Sequence, residues 1–219
     1  MRQICLDTET TGLFFYLGHR IVEIGCVEIL DKKITNNIYH TYLNPSRDIE
    51  KEAFEVTGIT NDFLKDKPKF SDIVEDFFCF LNGADEIIIH NSDFDVNFIN
   101  NELRLINYKF KDIRLEFNIF NTLSFSRMYL NEKKNSLDAL CKKYNIDNSE
   151  RNLHGALTDA KLLAKLYLEM SNEPEFYVFK KRCYESKQLN KTAIFKTLKT
   201  SECDLNNHLE YIKRMKYDE

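Results

Sequence analysis

Apolar and polar positions along the chain change period once, near the Asn44-Pro45 turn. Before it, residues 3–7, with Ile4-Cys5-Leu6 apolar, lead into Thr10-Thr11-Gly12, residues 21–29 alternate, and residues 38–43 follow in the same manner. A period of two sends alternate side chains to opposite faces, so this part predicts a hairpin-rich sheet. After the turn, Ile73, Val74, Phe77, Phe80 and Leu81 recur at helical spacing, with Ser71 as the expected cap and Asn82-Gly83 as the stop. Residues 86–90 return to a strand. Helical spacing then holds over 95–105, over 123–130, through Leu137, Leu140, Cys141 and Tyr144, and most cleanly through Ala156, Ala160, Leu163, Ala164, Tyr167 and Leu168. Strands first, helices afterwards and one late strand between helices describe an α/β fold, a mixed β-sheet with helices packed on it.

Composition narrows the class. With 43% apolar residues, 17 Phe and 11 Tyr, the chain can bury enough surface to offset the entropy of ordering. No uninterrupted apolar run, 77–81 included, exceeds five residues, against about 20 for a spanning helix. Residues 1–7 also lack a signal-peptide core, so a soluble, cytoplasmic protein with no membrane partner is expected. None of the six Cys falls in a C-x-x-C pair, which argues against zinc ribbons and disulfide scaffolds.

With only six Gly and three Pro, the chain offers no obvious linker, and charge marks the boundary instead. Residues 173–219 carry ten basic and eight acidic side chains, leaving residues 1–172 at −6 against −4 overall. Helical periodicity fades near Met170, and residues 180–199 hold seven basic residues against one acidic. Beyond them Leu205, Leu209 and Ile212 recur at helical spacing after Ser201-x-x-Asp204. The expected organisation is a domain over 1–172 and an interaction tail over 173–219.

Candidate chemistry starts at Asp7 and Glu9. Two apart on a strand, both carboxylates leave one face, where they could share a hard divalent cation. Six acidic pairs have this spacing, so spacing alone decides nothing. Position does: the apolar run Ile4-Cys5-Leu6 delivers this pair to a strand end that turns at once. His90-Asn91-Ser92-Asp93-Phe94-Asp95 puts further carboxylates at a strand-to-helix junction, where on its own Asp93 or Asp95 reads equally as a helix cap. Asp159 falls at the edge of the buried face of the helix starting near Ala156, and a carboxylate there needs a partner. His154, just before that helix, can reach whatever Asp159 holds.

Together these motifs, Asp7-Thr8-Glu9-Thr10-Thr11-Gly12, His90-Asn91-x-x-Phe94-Asp95 and His154-Gly155-Ala156-x-x-Asp159, resemble the DEDDh 3′-to-5′ exonuclease superfamily over roughly residues 2–170. Intervening stretches such as Ile24-Gly25-Cys26-Val27-Glu28 and Asn135-Ser136-Leu137-Asp138-Ala139-Leu140-Cys141 are most similar to the proofreading epsilon subunits of bacterial DNA polymerase III. The resemblance implies a ribonuclease H-like fold. It implies that Asp7, Glu9, Asp95 and Asp159 bind two divalent cations, Mg²⁺ or Mn²⁺, that His154 is the general base, and that Thr10, Thr11 and Gly12 lie beside the terminal nucleotide. Such ions would lower the pKa of an attacking water and hold the departing 3′-oxygen. Single-stranded or frayed DNA 3′ ends follow as the substrate. The polymerase (alpha) subunit follows as the partner, held through Leu205, Leu209 and Ile212 in a bacterial replisome.

Two departures stand out. Asp93 adds a carboxylate where the family often has a small neutral residue. Epsilon subunits commonly carry a Gln-led peptide for the sliding clamp after the exonuclease domain, whereas residues 173–179 here read Glu-Pro-Glu-Phe-Tyr-Val-Phe. That aromatic run is expected to pack on the domain, with clamp contact left open. The competing readings are an exoribonuclease of the same superfamily and a catalytically silent polymerase adaptor.

Overall fold

The computed structural model describes residues 1–130, 132–149 and 153–192, with side chains as far as residue 183. Leu205, Leu209 and Ile212 therefore lie outside the described residues. The elements run β1 (Arg2–Thr10), β2 (Ile21–Leu30), β3 (Lys33–Tyr42), α1 (Lys51–Thr57), α2 (Asn61–Leu64), α3 (Phe70–Leu81), β4 (Glu86–Ile89), α4 (Ser92–Leu105), α5 (Ile113–Glu116), β5 (Ile119–Asn121), α6 (Thr122–Tyr129), α7 (Leu137–Lys143), α8 (Ala156–Met170) and α9 (Pro174–Thr192). No described helix is long and apolar enough to cross a membrane.

The first three strands form an antiparallel meander. Its second turn, Asp31-Lys32, has both residues at positive φ, 48° and 63°, the geometry that matches strand twist in a tight hairpin. Strands β4 and β5 add in parallel beside β1, giving the order β3-β2-β1-β4-β5. This is the mixed sheet that the pattern predicts, with one late strand more than expected: β5 is three residues long and too short to show a period. Helix α3 starts before Ser71, because the Asp72 carboxylate accepts from the Lys69 amide at 2.9 Å and satisfies a free N–H of the first turn. The expected Ser71 cap is thereby corrected.

Alternation along the central strands divides the core in two. Ile4, Leu6, Ile87 and Ile89 pack with α3 and α4, whereas Cys5 and Ile88 pack with α7, α8 and α9. Strand β2 departs from the expected alternation, since nine of its ten positions are buried. Its acidic residues tolerate this through partners. Glu28 accepts from Arg2 Nε at 2.6 Å, Thr35 at 2.8 Å and Asn37 at 3.0 Å, and Glu23 meets His40 Nε2 at 2.8 Å. Arg20 fastens α4 to the start of β2 through a two-pronged pair with buried Glu102 at 2.7 and 2.6 Å.

Two contacts place α8 and α9. Gly25 of β2 faces the first turn of α8 so closely that a Cβ there would lie 2.3 Å from the Ala156 carbonyl carbon and the Leu157 nitrogen. Beyond α8, the compact unit extends to Lys180, past the boundary placed by charge at 172. The reason is packing: Phe176 and Phe179 are buried, with ring centroids 5.1 and 5.5 Å from Phe120. Pro174 at the first helical position and this i, i+3 aromatic pair start α9 just beyond the point where the apolar period fades. Lys180 then closes the unit, with its Nζ 2.8 Å from both Glu86 Oε2 and the Tyr167 hydroxyl. Gln3 donates to the same Glu86 oxygen at 3.0 Å.

Replacing Gly25 with Ala should cost about 1–3 kcal/mol, because the clash is with backbone and not with a movable side chain. Chemical denaturation would show a lowered midpoint, and an unchanged midpoint would mean that α8 can lift off without loss.

Candidate active site

Strand β1 presents different residues to its two sides. Asp7 and Glu9 share the parity of Cys5, which packs on the α8 side, whereas Thr8 shares that of Leu6, on the α4 side. Thr8 uses that position to hold Asp95, which accepts from the Thr8 amide at 3.0 Å and from its hydroxyl at 2.7 Å. Asp95 reaches this point because Asn91, at φ 68° and ψ 51°, turns the chain sharply from β4 into α4, a left-handed conformation that Asn tolerates.

From the other side, α8 brings Asp159, which is 4% exposed, in its first turn. Asp7 pairs across the strands with Gly25, the residue on which α8 rests, so one close contact sets Asp159 over the sheet near Asp7. His154 precedes α8 and is tied to α1 by its amide, which donates to the Val56 carbonyl at 3.0 Å. Its Nδ1 lies 3.4 Å from Asp159 Oδ2. One ligand atom each from Glu9, His154 and Asp159 fall within 4.8 Å of one another. Asp7, Glu9, Asp95, His154 and Asp159 all line a single cleft of about 630 Å³.

The electrostatics of this cleft favour a cation. Burial pushes the Asp95 carboxyl up to about 7, against the lowering effect of the Thr8 hydrogen bonds. Oxygen donors from several carboxylates suit a hard divalent ion such as Mg²⁺ or Mn²⁺ and not a thiolate-seeking metal. The residues present therefore fit the cations that the sequence motifs imply.

Asp93 does not join them. Two positions apart on a helix point to different sides, and Asp93 is 80% exposed and paired with Arg114 at 3.1 Å. Thr10, Thr11 and Gly12 sit beside the cleft with their polar groups already engaged. The Thr10 hydroxyl donates to the Gly12 carbonyl at 2.7 Å, and Thr11 Oγ1 lies 3.0 Å from His19 Nδ1. Leu13 is the residue of this turn that lines the cleft. Sequence reasoning missed Thr8, whose signal was its parity within the D-x-E motif. It also missed a structural His19, packed against Gly12 and 3.1 Å from Glu50. Arg127, Lys133 and Asn135 also line the cleft, and for Asn135 the sign was its place in the Asn135-Ser136-Leu137 stretch.

Residues 4–167 match the RNase_T exonuclease family. The chain belongs to that family. Within it, this exonuclease is 46% identical to the DNA polymerase III subunit epsilon of Buchnera aphidicola (subsp. Schizaphis graminum), over 98% of this chain and 97% of that one. It is 44% identical to the epsilon subunit of Rickettsia conorii over 96% of this chain and 86% of that one. The figure for Escherichia coli K12 epsilon is 45%, over 78% and 71%. Among solved structures, exonuclease X in complex with 5′-overhanging duplex DNA superposes with a TM-score of 0.60 at 26% identity, covering 78% of this chain and 91% of that one. The nuclease domain of 3′hExo, described as a DEDDh family member bound to rAMP, superposes with a TM-score of 0.64 at 18% identity, covering 80% and 94%, a likeness of fold. The mixed sheet with flanking helices is thus the ribonuclease H-like exonuclease fold.

The raised Asp95 carboxyl has a signed consequence for stability. Between 3.8 and about 7 the folded exonuclease holds a proton that the unfolded chain has released, so this group weakens the metal-free fold as pH rises through that window. In chelator, the melting temperature of the wild type relative to Asp95→Asn should therefore fall between pH 4 and pH 7. A constant difference would show that Asp95 ionises freely.

Proposed function

We propose that this chain is a divalent-cation-dependent 3′-to-5′ exodeoxyribonuclease that removes mispaired 3′-terminal nucleotides for DNA polymerase III. In this reading Asp7, Glu9, Asp95 and Asp159 hold two Mg²⁺ or Mn²⁺ ions and His154 is the general base. The observation that carries it is the convergence of these five residues, drawn from β1, α4, α8 and the loop that enters α8, on one cleft. The high identity to epsilon subunits over almost the whole chain supports the substrate and the setting in a cytoplasmic replisome.

When bound, the cations would supply a nucleophilic water at neutral pH and neutralise charge on the leaving oxygen. The chain's own residues do the rest. Thr8 fixes Asp95 with two hydrogen bonds, so its orientation does not depend on the substrate. His154, its Nδ1 3.4 Å from Asp159 Oδ2, stands beside the proposed ligands, where its imidazole would accept the water's proton. His90, 2.9 Å from the Thr122 hydroxyl, is held as a wall of the cleft. Selection of mispaired ends then follows from the lower cost of drawing an unpaired nucleotide into the site.

The polymerase (alpha) subunit is the proposed partner of the tail, through Leu205, Leu209 and Ile212. A unit of net negative charge holds DNA weakly, and tethering can supply about millimolar effective concentration without a new DNA contact. With Phe176 and Phe179 in the core, residues 173–179 are not a free peptide for a sliding clamp.

Digestion of a single-stranded oligonucleotide should stop in chelator and return with Mg²⁺ or Mn²⁺, and each of Asp7→Ala, Glu9→Ala, Asp95→Ala and Asp159→Ala should lower it by orders of magnitude. His154→Ala should lose roughly 10²- to 10⁴-fold in turnover while calorimetry shows cation binding retained. Activity that persists in excess chelator would falsify the assignment.

Ending the chain after residue 192 should preserve digestion and abolish association with the polymerase subunit. Ending it at 172 should also lower the melting temperature, because Phe176, Phe179 and Lys180 leave the core. Polymerase binding retained by the 192-residue form would remove the tail from the reading.

A further inference from the structure

Part of the cleft lining has no role in the reading above: Arg127 on α6, and Lys133 and Asn135 on the segment leading to α7. Arg127 and Lys133 are exposed, and neither makes a hydrogen bond or ion pair with another described residue. Asn135 adds an independent observation. Its Nδ2 donates to the Glu132 carbonyl at 3.0 Å, while its Oδ1 is buried with no hydrogen-bond partner among the described residues. A buried acceptor without a donor is uncommon, and at the edge of a cleft it points to a donor that arrives with a ligand.

Electrostatics says which ligand. Residues 1–172 carry −6, and the carboxylates of the cleft repel a polyanion wherever no cation intervenes. A nucleic-acid strand brings one phosphate to the scissile position and several more along its length, and each of those needs its own positive partner. Solvated lysines and arginines are common on any surface. Two cations and a buried acceptor that find no partner among the described residues, all on the lining of one cleft, are not the ordinary pattern.

We propose that Arg127 and Lys133 bind the non-scissile phosphates of a single-stranded 3′ end and that Asn135 accepts a hydrogen bond from its terminal nucleotide. These are positioning residues: they set where the strand lies along the cleft, while Asp7, Glu9, Asp95, His154 and Asp159 act at the reacting linkage. The proposal rests on the exonuclease reading and extends it to how the strand is held. Because phosphates carry no sequence information, it predicts binding that is strong in low salt and indifferent to sequence.

The test is the salt dependence of binding by the full chain, followed by fluorescence anisotropy in Mg²⁺. The probe is a single-stranded oligonucleotide whose terminal linkage is a hydrolysis-resistant phosphorothioate. Each lost phosphate contact on a single strand removes about 0.7 from the slope of log K against log salt, so Arg127→Gln with Lys133→Gln should flatten it by about 1.4. The charge-preserving pair Arg127→Lys with Lys133→Arg should restore the slope. Asn135→Ala should weaken binding with the slope unchanged. Circular dichroism on every variant separates these effects from misfolding. A wild-type slope in the charge-removing variant, or equal flattening in the charge-preserving one, would overturn the proposal. Absence of cation-dependent hydrolysis by the wild type would overturn the exonuclease reading instead, and the slopes would still decide the role of these residues.

Discussion

A helix can rest directly on a strand only where the strand offers no side chain. Gly25 provides that place, and the first turn of α8 occupies the space that a Cβ would need. The consequence runs through the register of the sheet. Gly25 is the cross-strand partner of Asp7, so the helix is pressed down beside the first carboxylate, and the same turn carries Asp159. His154, in the loop that enters this helix, follows it. Two of the five proposed site residues, Asp159 and His154, are therefore brought to Asp7 by one missing methyl group, and side-chain chemistry acts only after the backbones have met.

The opposite side of the sheet contributes through a different device. Asp95 is carried by α4, which is fixed to β2 by the Arg20–Glu102 pair and to β1 by Thr8. A strand whose neighbouring residues point to opposite faces normally separates what lies above and below it. At the end of β1 it does the reverse, with Asp7 and Glu9 looking to α8 and Thr8 reaching to α4, so the two layers share one site. Taking such a carboxylate out of water is unfavourable alone, as the upward push of burial on Asp95 shows. The site they share is the form of environment that makes a bare cluster of oxygens receptive to divalent cations.

Much of this was legible in the sequence, and the limits have physical causes. The three acidic motifs could be read because each couples a chemical group to a break in period: strand into turn, strand into helix, loop into helix. Helices α3, α4 and α8 are long enough for periodicity to show, whereas α2, α5 and β5 have four residues or fewer, too few for a period to appear. Strand β2 hid its double burial because Glu23 and Glu28 read as solvent-facing, when their partners on β1 and β3 are what permit them to be buried. Asp93 and Asp95 looked equivalent until helical rotation sent one to Arg114 and the other into the cleft. Arg127 and Lys133 lie on a helix end and an irregular segment, where charge has no period and only the folded cleft gives it a meaning.

Lys180 also has a mechanical consequence for the unit. It binds Glu86 of β4 and Tyr167 of α8, and through Glu86 it is linked to Gln3 of β1. All three lie toward the ends of β1, β4 and α8 that are remote from the carboxylates: about 13 Å of strand separates Gln3 from Asp7. A pull on the chain beyond this lysine is thus received by two strands and a helix at once, at the far end of the sheet. Force would be spread across the stiffest part of the unit and would not reach the cleft through a single element. Tension entering the unit at Lys180 would thus be taken up about 13 Å of strand away from the carboxylates.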